Sequence, residues 1–173
     1  MLVSAPYTTA TQPDLNPDMS KLLKILIQHH KKNKLRAQQF FFLKACMAAS
    51  AVVAVADGHA CRREALAVTV ITKTLDELKI FDSRHGSGVY SDFVKKLDED
   101  SEAGLAAAMK AIDAVRDDDE LTQLLVMICC TISEADGIVR PEEINAIEHI
   151  CGVLHIDPES VKALEIDLRA EID

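Results

Sequence analysis

Residues 45–58 read ACMAASAVVAVADG, and residues 121–137 read LTQLLVMICCTISEADG. Both are apolar runs closed by the same tripeptide, Ala56-Asp57-Gly58 in one and Ala135-Asp136-Gly137 in the other. A glutamate stands seven positions after each Asp, at Glu64 and Glu143, and a second helix-like run follows each tripeptide. The chain therefore holds two related helical hairpins offset by 79 residues. A repeat of this kind fixes the architecture before any single motif does. Two buried helices, each with a partner beyond an Asp-Gly corner, imply bundle halves related by a pseudo-twofold axis.

Superposing the halves places Val52, Val53, Ala56, Asp57, Gly58, Glu64, Ile71 and Leu75 on Thr131, Ile132, Ala135, Asp136, Gly137, Glu143, Ile150 and Leu154. After a three-residue shift, Leu78-Lys79-Ile80 falls on Leu154-His155-Ile156.

Working outward, a first helix is expected from near Asp18 to Lys34, with Leu22, Leu23, Ile25, Leu26 and Ile27 on its buried side. The second, about Gln38–Ala56, is apolar all round and reads as the central helix, with Gly58 as its left-handed stop. Helix three covers about Arg62–Leu78, with Ala65, Leu66, Val68, Val70 and Ile71 mostly inward. Gly86 and Gly88 suggest a break over Phe81–Gly88, after which Tyr90, Phe93, Val94 and Leu97 mark helix four. An Ala-rich helix covers about Ser101–Arg116. Asp117-Asp118-Asp119-Glu120 supplies an N-cap and favourable charge to the next helix, which runs to about Glu134. Pro141 opens a helix to Leu154, and Asp157-Pro158 caps a last one reaching about Glu171.

No segment alternates as a strand does. The expected fold is all-α: one compact helical bundle domain of about seven to eight helices, built from two pseudo-symmetric hairpin halves. Residues 1–17, with Pro6, Pro13 and Pro17, read as a flexible tail, and 18–173 as the domain, with repeats at about 38–82 and 118–158.

Composition agrees with packed helices: 49 % hydrophobic residues over 173, no Trp, and few other aromatics. The five cysteines lack CxxC spacing and read as buried thiols in a reducing compartment. The apolar runs are shorter than the roughly 20 residues a bilayer crossing needs, and the N-terminus lacks the pattern of a secretory signal. The expected location is the cytoplasm, with peripheral contact to the inner membrane as an option. Charge is bipolar: residues 1–50 carry a net +5, the remainder −14. The acidic bulk disfavours nucleic acid, while His29-His30-Lys31-Lys32-Asn33-Lys34 makes a basic pole suited to an anionic membrane surface.

The corners carry the candidate chemistry. Asp57, Glu64, Glu134, Asp136, Glu142 and Glu143 are the candidate ligands for a divalent cation, Ca²⁺, Mg²⁺ or Zn²⁺. They do not form an EF-hand, because its first ligand position would be Ile132. Each corner alone is poor in ligands, so binding requires the two to converge. The alternative is that each Asp-Gly-Glu unit is a hairpin joint satisfying free backbone N–H groups. His59 adds a softer ligand beside the first corner, and Cys129-Cys130 point about 100° apart on one helix. No nucleophile–base pairing motif, phosphate loop, HExxH or GxSxG is visible, so no enzyme is expected.

The doubled Asp-Gly hairpin, together with Glu77-Leu78-Lys79-Ile80-Phe81-Asp82, resembles the TerB family of tellurite-resistance proteins over about residues 38–162. The resemblance implies a compact helical cytoplasmic domain acting in bacterial resistance to tellurite and other stress. It implies membrane-embedded and calcium-binding partners from the same operon, and acidic residues that chelate metal. The first corner departs from the family pattern in Arg62-Arg63, which would neutralise its carboxylates, so Asp136, Glu142 and Glu143 make the stronger acidic corner. The expected function is a non-catalytic scaffold or adaptor that binds a divalent cation at its corners. Its alternatives are a membrane or membrane-protein adaptor using the basic pole, and an unrecognised hydrolase.

Overall fold

The apolar run that precedes Asp57 forms helix α1, helical over residues 38–54. Every residue from 42 to 54 except Lys44 is buried, which makes α1 the central rod of the core. Ala, Cys and Ser dominate it, and small side chains let neighbours close in from all sides. Its one buried hydroxyl, on Ser50, donates to the Cys46 carbonyl at 2.6 Å, so no polar group is orphaned. Gly58 ends the run in the left-handed region, φ 88°, where a side chain would be strained.

In this computed structural model the described residues are 38–58, 62–74, 83–134, 138–160 and 162–163, with the side chains of 62–64, 74 and 83 outside the description. They belong to a compact unit covering Ala37–Asp173. The expected tail at 1–17, the expected first helix, residues 75–82 and the end of the expected last helix lie outside the described residues.

After α1 come α2 (Arg62–Thr74), α3 (Ser83–Glu99), α4 (Ser101–Asp113), α5 (Asp119–Ser133) and α6 (Pro141–Leu154). A further helical segment, α7, includes residues 158–160 and 162–163. Among the described residues there is no strand, and the fold is all-α. α3 packs on α4, α2 on α3 and α5, and α6 on α4 and α5.

The expected break over Phe81–Gly88 is corrected: from Ser83 onward the chain is helical, straight through Gly86 and Gly88. Gly86 serves packing rather than a turn. A Cβ there would lie 2.9 Å from Thr72 Cγ2, so glycine lets α3 close onto α2. Gly104 does the same for the tight α3–α4 joint, where a Cβ would meet backbone atoms of Lys96 and Leu97 at 2.7 Å. Helix α2 is also rotated from expectation: Val68 and Thr72 are buried, whereas Leu66 and Val70 are exposed.

The helix starts follow the sequence signals. Asp118 caps α5, its Oδ1 accepting the Leu121 N–H at 3.1 Å, and Asp100 caps α4 through the Ala103 N–H at 3.0 Å. Pro141 takes the first position of α6, where its missing N–H costs nothing.

Candidate functional site at the hairpin corners

Asp57 sits at the last turn of α1, its side chain 21 % exposed. The preceding backbone is already satisfied, with Ala56 N–H donating to Val53 O at 3.2 Å and Gly58 N–H to Val55 O at 2.9 Å. Asp57 Oδ2 lies 3.2 Å from Nε of Arg140, a residue of the other hairpin.

Arg140 is the N-cap residue of α6, in extended backbone with φ −100° and ψ 150°. Its N–H donates to Glu143 Oε2 at 2.7 Å, and Glu143 is only 1 % exposed. This is one half of a capping box. Arg140 cannot return the bond through its side chain, because a guanidinium has no acceptor. Its Nη1 instead lies 4.0 Å from Glu143 Oε1 and donates to Ile138 O at 3.3 Å. A buried carboxylate is costly unless it is both paired and hydrogen-bonded, and Glu143 has both.

The corners thus converge on one guanidinium. Asp57 from the first and Glu143 from the second flank Arg140, whose side chain is 30 % exposed. Arg140 is the residue of this corner that sequence reasoning passed over. Its only local signal is its place before Pro141 and three before Glu143, the N-cap slot of a capping box. Its reach to Asp57 is a tertiary fact.

The other predicted ligands are only partly described. Glu142 is exposed in the first turn of α6, where its charge favours the helix N-terminus. Glu134 is exposed at the C-cap of α5. Asp136, His59 and the side chain of Glu64 lie outside the described residues, as do the side chains of Arg62 and Arg63. Among the described residues no three of His, Cys, Asp and Glu are grouped to hold a metal ion. Two carboxylates with a guanidinium between them do not fit a hard cation, which takes six or more oxygens.

Beside the second corner lies an apolar groove. A cavity of about 240 Å³ opens between α5, α6 and α7, lined by Val126, Cys130, Val139, Ile144 and Ile147 together with Pro158 of α7 and the charged Glu134, Glu148 and Lys162. Val139 and Ile144 are exposed there, Ile144 to 42 %. Cys130 and Cys151 also line it. Burial, reinforced by Glu148, raises the Cys151 thiol. The fully buried Cys129 is pushed well above its ordinary value by burial first and by the neighbouring Cys130, Cys46 and Cys151 next. Such thiols stay protonated and are poor nucleophiles.

In comparison with known families, residues 43–166 fit the family described as Tellurite resistance protein TerB. Searches of curated proteins and of solved structures return no match. The family match covers well over half of the chain, and the chain belongs to the TerB family.

Proposed function

We propose that this member of the TerB family acts in resistance to tellurite and related stress as a non-catalytic adaptor, binding partner proteins through its α5–α6 face. The observation that carries the reading is the apolar groove lined by α5, α6 and α7, with Val139 and Ile144 open to solvent along it. Contiguous exposed apolar surface on a well-packed helical domain marks an interaction site. The ion-paired corner stands next to it: Val139 on the groove wall directly precedes Arg140, which ties the two hairpins together. The partners are taken, by family resemblance, to be the membrane-embedded and calcium-binding proteins of a tellurite-resistance operon.

No described helix is long and apolar enough to cross a membrane, so membrane association would come through such a partner or through the basic N-terminal pole. That pole lies outside the described residues. A divalent cation at the described corner would have to displace Arg140 from Asp57. Calorimetry with Ca²⁺, Mg²⁺ and Zn²⁺ tests the cation-binding version: a signal abolished by Asp57→Ala with Asp136→Ala would establish it, and a flat wild-type trace would end it.

The adaptor reading is tested by cross-linking in cells that carry the operon, before and after tellurite exposure. Recovery of the membrane-embedded operon protein with this chain is the expected result. Purified chain that alone consumes tellurite catalytically would overturn it.

A further inference from the structure

We infer that Cys130 and Cys151 form a two-thiol capture site for a soft oxyacid of the arsenite type, a small electrophile that trades two hydroxyl groups for two sulfurs. Cys130 comes from α5 and Cys151 from α6, helices that pack on each other, and both residues line the same cavity. Neither is in a disulfide. The buried Cys129 lies within electrostatic reach of both, so the two belong to one cluster of thiols. Val139 and Ile144 stand exposed on the cavity wall, Cys130 is half-buried, and Cys151 is almost closed off from bulk water. A ligand therefore enters past aliphatic side chains and meets Cys130 first. The cavity measures about 240 Å³. An apolar protein cavity of about 150 Å³ already holds a benzene ring, so there is room for a small organic group beside the sulfurs.

The number of sulfurs and the hold on their protons select the ligand. Among the described residues no group of three metal-ligating side chains forms, whereas a tetrahedral zinc site draws on three or four. A bare soft cation would have to expel both thiol protons, and burial holds the Cys151 proton tightly. An oxyacid removes that obstacle because it carries an acceptor for each proton. In a group R–As(OH)₂, each hydroxyl takes up one S–H proton and leaves as water, and the sulfur bonds to arsenic in its place. Two thiols and one R–As(OH)₂ thus give one dithioarsenite, R–As(SR′)₂, and two waters. Arsenic stays trivalent and no sulfur is oxidised. Thiols that hold their protons tightly are also the stronger sulfur donors once bonded, since nucleophilicity rises with pKa.

The probe is phenylarsine oxide, which hydrates to that diol, added in equal molar amount to the reduced full chain. Intact mass spectrometry should show a gain of one phenylarsine oxide less one water, the signature of two sulfurs joined to one arsenic. Protease mapping should link the peptide bearing Cys130 to the peptide bearing Cys151. The adduct should survive excess mercaptoethanol, a monothiol, and be stripped by ethanedithiol. Cys130→Ala and Cys151→Ala should each abolish the bridged adduct, and Cys129→Ala should keep it, with circular dichroism checking that each variant is folded. If Cys151→Ala unfolds, Cys130→Ala at the half-buried position and the peptide map still decide. No adduct, a bridged adduct that persists in Cys130→Ala, a link through Cys129 or another thiol, or loss to mercaptoethanol would overturn the inference. Capture without recovery of an operon partner by cross-linking would remove the adaptor reading alone. Recovery of the partner without capture would remove this inference alone.

Discussion

The two hairpins repeat one sequence pattern and do different work. In the first, α1 is buried throughout residues 45–54, Val52 and Val53 alike. In the second, the matched Ile132 is buried but Thr131 is exposed, and α5 lines an apolar groove together with α6 and α7. The corners diverge too. Asp57 makes a partly exposed ion pair across to the other hairpin, whereas Glu143 is buried and caps the helix it belongs to. Both copies feed the core, and the second also shapes a surface. Positions that match in a repeat therefore share a place in the chain rather than a role.

Mutations can break that comparison, beginning where both copies are alike. Ile132→Ala should lower stability by about 2–5 kcal/mol in urea unfolding, and Val53→Ala by somewhat less because it removes one carbon fewer. A negligible loss at either site would mean that the core is not shared by the two copies. Glu143→Ala should cost about 1–3 kcal/mol, since it removes a charge-assisted cap from a buried site. Glu143→Gln, which keeps an acceptor for the Arg140 N–H, should cost less, and equal losses would contradict the cap.

The next pair separates the copies. Val52→Thr buries a hydroxyl and should destabilise by roughly 1–2 kcal/mol, while Thr131→Val on the exposed side should be close to neutral. The smallest effect belongs to Asp57→Asn, at most about 1 kcal/mol and shrinking as salt rises, because the pair is partly exposed. In a double-mutant cycle with Arg140→Gln, the Asp57 effect should vanish. An undiminished effect would place the Asp57 partner elsewhere.

Much of this architecture was legible from local patterns. The all-round apolar character of 45–56 marked a central helix, and Gly58, Asp118 and Pro141 behaved as stop, cap and first-turn residue. What failed depended on neighbours. Gly86 reads as a break in one dimension, but it is a contact with Thr72 in three. Leu66 and Val70 fit an inward stripe by type, yet α2 turns Val68 and Thr72 to the core instead. At the corners, the sequence singled out acids and placed Arg62 and Arg63 beside them. The guanidinium seen between Asp57 and Glu143 comes from Arg140, and its span between hairpins has no local signature. The groove was illegible for the same reason, since it forms only where α5, α6 and α7 come together.

The sharpest contrast is between groove and corner as the seat of function. Cross-linking in operon-bearing cells should recover the membrane-embedded partner with Asp57→Ala as well as with the unaltered chain, and should lose it with Ile144→Asp. Loss with Asp57→Ala and retention with Ile144→Asp would return function to the acidic corner and contradict a docking role for the α5–α6 face.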